Sequence, residues 1–108
     1  MTATQQARIE GFRVSLAERG HSLTLNGSGT AFKALVEPVG SVSAPEFGIS
    51  RETASEAHVH ALRSDMGTLP SVGDFLHDAT AGARYRVTTI RNQPANPVVV
   101  FENCEVST

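Results

Sequence analysis

Four histidines have the widest chemical range in this chain: His21, His58, His60 and His77. His58 and His60 alternate within EAHVHALR, so on a strand both rings leave the same face. Such a pair could begin a zinc site, with His21 or His77 completing it. No cysteine pair, HExxH run or carboxylate cluster accompanies them. The pair therefore reads as an outward polar face, and no metal is expected. Ser, His and Asp are all present, but no GxSxG nucleophile elbow is, and a triad is defined by geometry rather than composition. Gly27-Ser28-Gly29 lacks the lysine and following helix of a phosphate loop and reads as a hairpin turn. Cys104 is the single cysteine, so no intrachain disulfide can form. Its place in an apolar run suits a packed small hydrophobe rather than a nucleophile. The expectation is a protein without enzymatic activity and without a cofactor.

Three arginines, Arg84, Arg86 and Arg91, form the other group with chemical reach. Arg84 and Arg86 share a strand face and alternate with Tyr85 and Val87, which should face the core. A solvated face is the ordinary reading. An acidic partner or a nucleic-acid backbone is the sharper one. With one tyrosine, no tryptophan, a net charge of −2 and a pI near 6.0, the chain has little for base stacking and no basic face for duplex DNA.

These residues must be positioned by a small framework. The 108 residues, 40% hydrophobic and 19% charged, suit one globular domain, 1–108, with a thin core. No apolar run approaches the roughly 20 residues that span a bilayer. MTATQQARIE has no apolar core of the signal-peptide kind, so a reducing cytoplasm is the expected site of synthesis.

The central stretch is Leu69 to Ile90. A Gly73-Asp74 corner opens it, and two strand-like runs follow, 74–78 and 84–90, joined by a turn at 79–83. Ahead of it, residues 4–19 predict a helix with Ile9, Phe12 and Leu16 on one stripe and Gly20 as its left-handed cap. Residues 22–25 and 32–39 predict strands separated by the Asn26-Gly27 turn, with Pro38 at a strand end or sheet edge. Residues 40–55 carry no regular pattern and predict a long, mobile loop, with Phe47 and Ile49 as apolar residues inside it. Residues 56–63 and 97–106 predict two more strands, the second following the NQPANP turn. Val98 to Phe101 is apolar without alternation, which predicts cover on both faces. The fold expected is mainly β: a small antiparallel barrel or sandwich of about six strands (22–106) with one short helix.

The order of these segments resembles the head–tail joining, or head-completion, proteins of tailed bacteriophages. The resemblance is carried by Phe47-Gly48-Ile49-Ser50, Leu62-Arg63-Ser64-Asp65, Leu69-Pro70, Gly73-Asp74, Phe75-Leu76, Tyr85-Arg86-Val87 and the apolar run 98–106. It covers a little over half the chain, and its order and spacing match better than any single motif. It implies a virion structural protein at the head–tail interface, assembled in the bacterial cytoplasm. Copies would form a ring between a portal or adaptor protein and a tail or tail-terminator protein. DNA would pass through without sequence recognition, and no membrane would be involved. Glu46, Phe47, Ile49, Arg51, Val99 and Phe101 would form the assembly interface, with Glu46 and Arg51 at its rim. The competing reading is a stand-alone oligonucleotide-binding or SH3-like barrel whose partner is a protein or a single-stranded nucleic acid.

Overall fold

Asn26 and Gly27 both take left-handed backbone, with φ of 52° and 76°. That geometry turns β1 (His21–Leu25) tightly back on β2 (Ser28–Val39), as the Asn-Gly pair predicts. The tight turn lets β2 begin at Ser28, four residues earlier than its apolar alternation suggests. The computed structural model describes residues 3–39 and 56–107. Its other elements are α1 (Ala3–Arg19), β3 (Glu56–Leu62), a 3-10 turn (Arg63–Asp65), β4 (Phe75–Asp78), β5 (Ala83–Arg86), β6 (Thr89–Arg91) and β7 (Val98–Ser107). The expected loop 40–55 lies outside the described residues.

The strands close into an antiparallel barrel in the order β3-β2-β1-β4-β5-β7, with β7 returning to pair with β3. Closure removes the open sheet edges that would otherwise template further pairing. β6 is the exception, a short strand lying only against β7. Pro38 pairs with Ala57 of β3 on a stretch of β2 that β1 no longer flanks, the edge-like setting that a missing N–H requires.

Alternation decides what fills the barrel. Leu23, Phe32, Ala34, Val59, Ala61, Leu76, Tyr85, Val87, Val99, Phe101 and Cys104 all belong to one buried cluster. Tyr85 and Val87 are buried while Arg84 and Arg86 are exposed, the expected arrangement of faces.

Two expectations need correction. The run 84–90 is not one strand. After Arg86 the chain leaves β4, and Val87 pairs its backbone with the corner, donating to Asp74 O at 2.8 Å and accepting from Gly73 N at 2.8 Å. The apolar run of β7 does alternate: Val99 and Phe101 are fully buried, and Val98 and Val100 are half-buried. An extra residue near Asn103 (φ 53°) then bulges the strand opposite His58, so that Phe101 and Cys104 both point inward.

The helix is held lightly. Gly20 follows its last turn, but not in the expected left-handed conformation: its N–H continues the helical bonding to Leu16 O at 2.8 Å, and a Cβ there would lie 2.3 Å from that oxygen. Leu16 is the one buried residue among those of α1 whose side chains are described.

Candidate functional site

The most organised polar group lies inside one mouth of the barrel, where β1 begins and β4 ends. Asp78 faces inward and is 2% exposed. Its Oδ2 accepts from the Tyr85 hydroxyl at 2.5 Å and is 2.6 Å from His21 Nδ1. Its Oδ1 accepts the backbone N–H groups of Thr80 and Ala81 at 2.9 and 3.0 Å. Burial alone would raise the Asp78 carboxyl. The donors from Tyr85, Ala81 and His21 outweigh it and hold the group below the usual carboxylate range. Burial, then the neighbouring carboxylate, pushes the Tyr85 phenol up, so it stays a donor. This group ties β1, β4 and β5 together and closes the 79–82 turn, where Gly82 N–H also returns to Asp78 O at 2.8 Å. No motif marks it in the sequence; the signal was an aspartate at an inward position of an alternating strand.

The histidines separate. His21 belongs to the Asp78 group. His58 and His60 share the outer face of β3 as expected, their rings edge-to-face at 6.4 Å. His58 Nδ1 accepts the Asn103 N–H at 3.1 Å, which satisfies the amide freed by the β7 bulge. The Thr88 hydroxyl serves the bulge from the other side, at 3.2 Å from Glu102 O and 3.0 Å from Asn103 O. Burial lowers the His60 imidazole against the pull of Glu37. Among the described residues no three His, Cys, Asp or Glu side chains gather as metal ligands. Cys104 is buried, and that burial pushes its thiol up to about 11, away from nucleophilic use.

The arginines are already occupied. Arg86 pairs with Glu105 at 3.2 Å and Arg91 with Glu102 at 3.1 Å. Arg84 lies over the Phe75 ring, 5.1 Å from its centre. Two of the three arginines thus have carboxylate partners, while Arg84 keeps its charge over the ring.

Of the expected assembly residues, Glu46, Phe47, Ile49 and Arg51 lie outside the described residues. Val99 and Phe101 are corrected: each is 0% exposed and packs inside the barrel, so neither can meet a partner without unfolding it. The even-numbered neighbours Val98 and Val100 take the outward positions on that strand.

Two of the segments named for the phage resemblance, Gly73-Asp74 and Tyr85-Arg86-Val87, are bonded to each other at one corner. Pro70 is buried. Ser71 N–H donates to Asp74 Oδ2 at 2.9 Å, and Asp74 N–H returns to Ser71 O at 3.0 Å. Gly73, at φ 98°, and Asp74 then bracket Val87 of the Tyr-x-Val run. The Asn26 amide joins from the first turn, its Oδ1 accepting from Phe75 N at 2.9 Å. No family model, curated protein or solved structure matches this chain. No helix among the described residues is long and apolar enough to cross a membrane.

Proposed function

We propose that the chain is a virion structural protein, one component of the ring that joins a DNA-filled phage head to its tail. The observation that carries this reading is the backbone bonding of Gly73-Asp74 to Val87 of the Tyr85-Arg86-Val87 run, at a corner that Ser71 closes beside buried Pro70. Residues that are separate in sequence but ordered as in joining proteins thus serve one structural purpose. The closed barrel suits a repeated part, since it has few edges to pair at random. The pairing of Arg86 and Arg91 with carboxylates favours this reading over a module that grips single-stranded nucleic acid. In it, Glu46, Phe47, Ile49 and Arg51 remain the docking set, joined on the barrel by outward residues in place of Val99 and Phe101.

A stop codon early in the gene, introduced into the phage that encodes the chain, tests the proposal. Electron microscopy of the lysate should show filled heads and free tails, and adding purified protein should join them. A chain with Phe47→Ser and Ile49→Ser together should fail to do so. Intact virions from the stop-codon phage would overturn the reading.

A further inference from the structure

The seventeen-residue helix α1 is attached to the barrel by very little. Leu16 is its buried anchor, Ile9 and Phe12 are half-buried, and Val14 is 59% exposed. Arg13 pairs with Asp65 at 3.1 Å, but the Arg13 side chain is 54% exposed, which screens the pair. A helix of this length, with Gly11 in its middle, is marginal without a surface to lean on. The surface beneath it belongs to the barrel. Among the described residues, Leu16 and Leu62 are the two buried core hydrophobics that stand outside the interior cluster. Leu62 follows inward-facing Ala61 and so takes an outward position on β3, beside the 3-10 turn that carries Asp65. One residue, Gly20, separates α1 from β1.

We propose that α1 is an exchange arm: it leaves its own β2–β3 face and docks on the same face of a second copy, with Gly20 as the hinge. The occupant follows from the contact already present. Any second copy carries Leu16 and Arg13 in the arrangement that this face and Asp65 accept. The docking contacts are the same in both forms. The short tether favours the closed form in dilute solution, and concentration favours exchange. This inference stands apart from the proposed function.

Cysteine pairing tests it. Ala17 and Lys33 are exposed and line the same shallow pocket where α1 meets β2. Cys104 is buried and will not compete. Chains carrying A17C are mixed with chains carrying K33C at high concentration and mildly oxidised. The mixed dimer should exceed either same-variant dimer by at least tenfold, and adding Leu16→Ser to the A17C chain should abolish it. The A17C/K33C double variant, in dilute solution, should close its bond within one chain. Equal yields of mixed and same-variant dimers, or no mixed dimer, would overturn the exchange. A double variant that closes no bond would overturn the resting contact on which it is built.

Discussion

Asp78 is the residue whose chemistry reaches furthest through the fold. Its carboxylate accepts from two side chains and two backbone amides, so its removal strands donors on β1, β5 and the adjoining turn. Asp78→Ala should cost about 3 kcal/mol, because a buried charged acceptor is lost while its donors remain. Its native pKa is lowered, so the stability it supplies is in place above the ordinary carboxylate value of about 3.9. That stability is lost as pH falls through the lower native value. Urea unfolding between pH 6 and pH 2 should therefore show an acid loss that Asp78→Asn flattens; an unchanged slope in that variant would contradict the assignment. Tyr85 divides into two parts. Tyr85→Phe keeps the ring and should cost roughly 1–2 kcal/mol, whereas Tyr85→Ala also empties its site and should cost roughly 2–4 kcal/mol. His58 contributes a ring nitrogen to the bulge, so His58→Ala should speed hydrogen exchange at Asn103 N–H and leave zinc content at background. Stoichiometric zinc that disappears when His58 and His60 are both replaced by alanine would instead establish a metal site.

At the scale of the elements, most of the barrel was legible because alternation and turn chemistry act locally. Asn26-Gly27, the inward positions Ala57, Val59 and Ala61, and the split between Tyr85 and Arg86 all follow from adjacent residues. What was not legible depends on partners distant in sequence. Val87 ends β5 because Gly73 and Asp74 take its backbone bonds. The β7 bulge needs His58 and Thr88, from two other parts of the chain, to satisfy its exposed groups. Four consecutive apolar residues hid an alternation that barrel closure decides, since β7 pairing with both β5 and β3 turns one of its faces inward. The Asp78 group was missed for the same reason, since an aspartate, a tyrosine and a histidine spread over three strands carry no spacing rule. Gly20 gives the element-scale prediction. A Cβ there would press on Leu16 O, so Gly20→Ala should lose about 1 kcal/mol or more and a share of the helical circular-dichroism signal, while the β signal persists. Loss of both signals together would show that α1 and the barrel unfold as one unit.

For the whole molecule, closure is the controlling feature. β7 spans the seam, pairing with β3 along most of its length and with β5 at its end. Phe101, wholly buried at this seam, should cost roughly 3–5 kcal/mol as Phe101→Ala, and under the proposed function it should weaken head–tail joining only through loss of folded protein. A folded, stable Phe101→Ala protein that fails to join would return that side chain to the interface. The closed barrel and the backbone-bonded corner are the features on which the proposal of a repeated structural part rests. Under the proposed function, the most direct measurement is a cryo-electron microscopy reconstruction of the neck of a phage carrying this gene. The account predicts a ring between portal and tail whose subunits trace the barrel β3-β2-β1-β4-β5-β7 with α1 at its side. A neck in which no density follows that trace, from virions lacking the chain by mass spectrometry, would contradict it.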